Sequence, residues 1–148
     1  MKSALVLVLL LLVGPAAAQL VAFPKDTVTI ETAAGAKHRF NIELATTPPQ
    51  IMQGLMFRRQ MAADAGMLFV IEPPDNAVFW MKNTYIPLDM IFIAPDGRIL
   101  NIAERTIPQT ETPVPAAGLT RAVLEVNGGT AARLGLKPGD RVRHASLP

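Results

Sequence analysis

The residues best equipped for chemistry in this chain sit inside the most apolar stretch that follows residue 18. FWMKNTYIPLDMIFI, Phe79 to Ile93, sets Lys82, Asn83, Thr84 and Asp89 beside Trp80. An indole offers an apolar platform, an amide both donates and accepts, and a carboxylate accepts, so the group reads as a small polar binding site. Lys82 would orient the carboxylate or meet an acidic group on a ligand, and Arg58 is a second cation that could reach the same place. The competing reading is architectural: Asp89 accepts amide hydrogens from the NTYIP loop and Lys82 neutralises it.

Register decides whether these side chains meet. If AVFWMK and LDMIFI form an antiparallel hairpin, a five-residue loop over 83–87 separates Lys82 from Asp89, whereas a four-residue loop over 84–87 sets them opposite each other. The shorter loop also gathers Phe79, Met81, Leu88, Met90 and Phe92 on a wholly apolar face. That register, with Lys82 and Asp89 paired beside Trp80, is the expected one.

Other chemistries are narrowed by what the chain lacks. It has no Cys, and Ser146 is the only serine beyond residue 3, which leaves no thiol and only a tail hydroxyl as nucleophile. His38 and His144 lie far apart on alternating strands, are expected to face solvent, and offer no metal-ligand spacing. No metal or cofactor is therefore expected. Gly128-Gly129 could hold an anion on free amides, a weak signal. Asp89 and Glu125 are the carboxylates an acid/base enzyme, such as a glycan-directed hydrolase, would use. The six methionines from Met52 to Met90 suggest a Cu(I) carrier as a further alternative, although Met is also an ordinary filler of apolar gaps.

The elements that must position these groups are mostly strands. TVTIET and KHRFNIELA alternate apolar and polar residues around an AAGA hairpin loop, and MLFVI, AVFWMK, LDMIFI, RILNIA, RAVLEV and RVRHA follow between turn signals. Such punctuation predicts a mainly β (α+β) domain, a compact sandwich or small barrel with one or two short helices. Thr47-Pro48-Pro49-Gln50 predicts a capped helix start, with Gly54 inside the helix needing a close backbone contact and Arg58 and Arg59 at its end. A second short helix over 130–134 stops at Gly135. The Pro-rich stretch IPQTETPVPAAGLT, 107–120, is long and aperiodic, a candidate lid or plain surface slack.

Residues 1–18 read as a cleaved secretory signal: Met1-Lys2-Ser3, an apolar run from Ala4 to Gly14, then small residues before Gln19. No Cys follows for lipid attachment, so a soluble periplasmic or extracellular domain over 19–148, without a stable membrane anchor, is expected. The full sequence carries 14 basic and 12 acidic residues, and loss of Lys2 leaves a net charge of +1. Near neutrality argues against nucleic acid as partner, because phosphate binding needs a clustered basic face.

GLMFRRQM, GMLFVI, FWMKNTYIPLDMIFI with DGRI, and VLEVNGGTAARLGLKPGD together resemble the successive motifs of the family called domain of unknown function 192, or uncharacterised protein family 0127. The resemblance spans essentially the whole mature chain. It implies a compact, mainly β single domain with sandwich-like topology and no assigned reaction. GTAARLGLKPGDRV also resembles the closing motif of a PDZ domain, but only RVRHASLP follows it, and a short helix, a Gly stop and a Pro-Gly-Asp turn into a last strand is the simpler reading.

The expectation is a secreted binding module whose site comprises Trp80, Lys82, Asn83, Thr84, Asp89 and Arg58. Its partner would be a small polar molecule, a glycan or another envelope-derived compound.

Overall fold

The structure is a computed structural model that describes residues 20–148. The signal expected over residues 1–18 lies outside the described residues. In chain order the elements are β1 (Lys25–Glu31), β2 (Lys37–Ala45), α1 (Pro48–Gln53), β3 (Ala65–Asp75), β4 (Val78–Phe79) and β5 (Leu88–Ile93). β6 (Ile99–Thr106), β7 (Val114–Pro115), β8 (Thr120–Asn127), α2 (Thr130–Leu134) and β9 (Arg141–Arg143) complete them. The fold is mostly β with two short helices, as the strand punctuation predicts.

Alternation builds the first hairpin. β1 and β2 pair antiparallel from Lys25↔Glu43 to Glu31↔Lys37 around the AAGA loop, turning Val28, Ile30, Phe40 and Ile42 to one face. β2 then runs parallel to β3, and a parallel pair needs a long crossover rather than a turn, which is the segment that carries α1. The seven-stranded sheet has the order β6-β5-β8-β3-β2-β1-β9 and curls into a half-barrel. Its two edges approach at one end: Arg98 bridges Arg141, Ile99 N–H donates to the Asp140 carbonyl at 2.8 Å, and Val142 N–H donates to the Gly97 carbonyl at 2.8 Å. This closure covers part of an edge that would otherwise offer free pairing groups.

Each face of the sheet buries its own core. Ile30, Phe40, Leu68, Ile91, Leu124 and Val126 fill the concave side. Met67, Phe69, Leu88, Met90, Phe92 and Val123 form the other, packed with Leu55 and Met81. β5 and β8 are buried on both sides and so read as nearly continuous apolar runs. Among the described residues no helix is long and apolar enough to cross a membrane.

The expected AVFWMK–LDMIFI hairpin does not form. Both flanks of β5 are taken, by β6 on one side and β8 on the other, so no edge remains for the preceding segment. Only Val78 and Phe79 of that segment are strand, and they pair with Val114 and Pro115 of β7 in a separate two-stranded sheet. The Pro-rich stretch therefore lies along residues 77–84: Gln109 N–H donates to the Thr84 carbonyl and Met81 N–H to the Thr110 carbonyl, each at 3.0 Å.

The two helices begin and end near the expected residues. Gln50 Oε1 accepts from the Thr46 and Thr47 amides at 3.0 and 3.1 Å, and its Nε2 donates to the Ala22 carbonyl at 2.9 Å. Val21 N–H donates to Gln53 Oε1 at 2.9 Å, so the chain before β1 is tied to α1. Gly54 lies just past the helix rather than inside it, at φ +46°, and a Cβ there would come within 3.0 Å of Phe69 Cζ. After α2, Gly135 at φ +68° ends the helix, and Asp140 accepts the Lys137 and Ala33 amides at 2.8 and 2.9 Å. The PDZ-like stretch is thus a helix, a glycine stop and a turn.

Candidate functional site

A cavity of about 490 Å³ opens on the convex face, between α1 and the segment leading to β5. α1 and its exit supply Ile51, Met52, Leu55 and Met56, β3 supplies Phe69, and β4 with the residues after it supplies Phe79, Trp80, Lys82 and Thr84. Glu125 of β8 reaches it from the sheet. Gly54 lets the chain leave α1 against the Phe69 ring, which in turn meets Phe79 edge to face with centroids 5.0 Å apart. The wall is therefore aromatic and aliphatic, with thioethers on the helix side.

Glu125 is the anomaly in this wall. Its cross-strand neighbours are Met67 on β3 and Met90 on β5, both fully buried, and Glu125 itself is only 4 % exposed. Among the described residues its carboxyl has no hydrogen-bond donor and no cation within ion-pair distance. Burial disfavours the charged form and pushes its pKa up from 4.5 to about 8, so the group is mostly a neutral acid near pH 7.

The six residues expected to form a site are divided by the structure. Trp80, Lys82 and Thr84 line the cavity; Asn83, Asp89 and Arg58 do not. Trp80 is 41 % exposed at the mouth, with Lys82 Nζ 5.0 Å from its ring centroid. Lys82 pairs with Glu111 at 3.1 Å instead of Asp89. Asn83 adopts φ +53°; its carbonyl accepts from Phe57 N–H at 2.9 Å and its amide lies 3.9 Å from Met56 Sδ, which ties the exit of α1 to this loop. Arg58 pairs with Glu43, stands 5.8 Å from the Phe23 ring centroid, and borders a separate polar hollow.

Asp89 is turned the other way. Register pairs it with Val126, and side chains alternate along a strand, so Asp89 lies on the concave face while Glu125, paired with Met90, lies on the convex one. Its Oδ1 accepts the Arg105 and Gly129 amides at 2.8 and 2.9 Å, and its Oδ2 accepts the Ala131 amide at 2.7 Å. The architectural reading of Asp89 is therefore the right one in kind. Its donors come from β6 and the start of α2 rather than from the NTYIP loop. The Gly129 and Ala131 amides, beside the glycine pair that could have held an anion, are taken by the protein's own carboxylate.

The same geometry bears on two alternatives. Asp89 and Glu125 are separated by the sheet, so they cannot flank one substrate bond as an acid/base pair. Met67, Met81 and Met90 are buried in the convex core, whereas Met52 and Met56 line the cavity and Met61 borders the polar hollow. Among the described residues no three His, Asp or Glu side chains are placed to share an ion. The histidines also depart from expectation: the His144 side chain is 2 % exposed, with Nε2 3.2 Å from Asp26, and His38 Nε2 is buried without a partner.

Sequence reasoning missed the helix side of the cavity and gave Glu125 the wrong companion. The available signal was a single carboxylate in the run AVLEV, where a strand buried on both faces leaves it no water.

Comparison with known proteins agrees with the fold. A crystal structure from Sinorhizobium meliloti 1021, provisionally described as a transcription regulator, is 48% identical over 86% of this chain and 98% of its own, with a TM-score of 0.83. A protein of unknown function from Novosphingobium aromaticivorans DSM 12444 is 49% identical over 90% of this chain and 94% of its own, with a TM-score of 0.81. A search of curated proteins finds no match. The profile of domain of unknown function 192, described as an uncharacterized ACR, matches residues 29–144. With that match covering most of its length, the chain belongs to the domain of unknown function 192 family.

Proposed function

We propose that this chain is a binding module, working outside the cytoplasm, for a small ligand with an apolar body and one polar end. The observation that carries this reading is Glu125, an unpartnered carboxyl 4 % exposed in the wall of an otherwise largely apolar cavity of about 490 Å³. No protein group donates to this carboxyl among the described residues, and it faces the cavity, so a ligand there can supply a hydrogen bond that the protein does not make. The volume falls in the range of cavities that enclose small molecules. Trp80, Lys82 and Thr84, three of the six residues of the expected site, line this cavity.

The ligand differs in kind from the polar or glycan partner the sequence suggests. Sugars favour an exposed aromatic face flanked by several fixed polar groups; here Lys82 stands over Trp80, and the interior presents Phe69, Phe79, Ile51 and Leu55. The regulator description of the Sinorhizobium protein is not carried over, since a net charge of +1 after loss of Lys2 gives no footprint for phosphate.

A thermal-stability panel of medium-chain alcohols, amines, carboxylic acids and short glycans tests the reading. A ligand at one hundred times its Kd stabilises the native state by about 2.7 kcal/mol. The expected result is a raised midpoint with one of the apolar-bodied compounds, lost in Met52→Trp, which fills the mouth from an exposed position. Stabilisation by glycans alone, or by nothing in the panel, would overturn it.

A further inference from the structure

We propose that the polar end of this ligand is a primary or secondary ammonium, held by the Glu125 carboxylate while an alkyl or aryl body lies against Phe69, Phe79 and Trp80. The inference rests on the binding reading above and names the class of ligand. Three observations favour a cation over a neutral or acidic group.

The first is the one-sided demand of the site. A carboxylate only accepts, and an ammonium brings up to three donors together with the opposite charge, whereas a hydroxyl brings one donor and no charge. The second is that the cavity does not supply its own counter-ion. Of its lining residues only Glu125 and Lys82 are ionisable, and Lys82 is held outward by Glu111 at 3.1 Å. β3 and β5 present Met67 and Met90 beside Glu125, and the helix side contributes Gln53 without charge. The third is the aromatic surround. Ring faces attract cations, and Phe69 and Phe79, which meet edge to face in the wall, have no protein cation over them among the described residues.

The proton balance follows. In the free protein at neutral pH Glu125 is mostly a carboxylic acid, because burial raises its pKa to about 8. Binding an ammonium displaces that proton to solvent and leaves a neutral ion pair in the cavity. An alkylamine keeps its own proton through this range, since its pKa lies near the Lys value of about 10.4. Affinity should therefore rise with pH up to about 8, by up to about tenfold per unit.

Octylamine, octanol and octanoate, matched in chain length, test this on the full chain. Fluorescence reports binding directly, because Trp80 is the only tryptophan. The expected result at pH 8 is octylamine binding at least about tenfold tighter than octanol, weakening by about tenfold per pH unit toward pH 6. Glu125→Gln should remove that preference and leave octanol within about twofold of wild type. Should the variant fail to fold, the wild-type pH slope alone decides. Octanol or octanoate binding as tightly as octylamine, or a flat pH profile for the amine, would overturn the cation while leaving the pocket reading intact. No binding by any of the three, with Trp80 unperturbed, would overturn both.

Discussion

At the scale of single residues, two buried carboxyls do opposite work. Glu125 is left with its desolvation uncompensated, and the sign of its pH effect follows from its raised pKa. Below the unfolded value of 4.5 both states hold the proton and stability is at its full level. As pH rises toward about 8 the unfolded chain ionises and the folded one does not, so stability falls by up to about 1.4 kcal/mol per pH unit and then levels off. Urea denaturation at successive pH values should show this decline in wild type and its loss in Glu125→Gln; parallel curves for the two proteins would contradict the assignment. Asp89 is the reverse case, a buried carboxylate with three backbone donors that fastens β5 to β6 and to the start of α2. Asn at that position sets an amide nitrogen against at least one of those donors. Asp89→Asn is expected to cost about 3 kcal/mol by denaturant titration, with affinity at the convex cavity unchanged in the folded fraction.

At the scale of elements, the cavity depends on how α1 leaves its last turn. Gly54 adopts a positive-φ backbone, φ +46° and ψ −133°, that L side chains rarely take, and approaches Phe69 so closely that an added methyl group must move the ring. Gly54→Ala should cost about 1–3 kcal/mol and weaken ligand binding, because the displaced Phe69 forms part of the wall. A fully stable variant with unaltered binding would contradict that role. Gly66 is tighter still: a Cβ there would fall 2.6 Å from the Glu125 carbonyl, so the spacing of β3 and β8 beside the carboxyl requires glycine. Helix starts, glycine stops and the first hairpin were legible in the sequence because each is a local arrangement, closed within a few residues. Asn83, Asp89 and Arg58 were misplaced because their partners are not local. Asp89 finds Gly129 and Ala131 40 and 42 residues away, and Arg58 finds Glu43 across the crossover.

At the scale of the whole molecule, the sheet order explains both the correct class and why the six expected site residues do not all come together. Alternating strands predict a curled β domain whatever their order, and that was readable. The order β6-β5-β8-β3 was not, since β8 enters the sheet between β5 and β3 from far along the chain. Once it does, β5 has no free edge, residues 77–87 leave the sheet to roof the convex core, and Lys82 is carried away from Asp89. Trp80, Lys82 and Thr84 then meet α1 and Glu125 instead, which is where the binding reading rests. Methionine methyl groups sample this arrangement at several depths: Met52 and Met56 line the cavity, whereas Met61 borders the separate polar hollow. The most direct measurement is a carbon-13 methyl NMR titration of methionine-labelled protein with octylamine and octanol. The account predicts shifts at Met52 and Met56 that saturate together, with Met61 unmoved. Saturating shifts confined to Met61, or none at all, would contradict it.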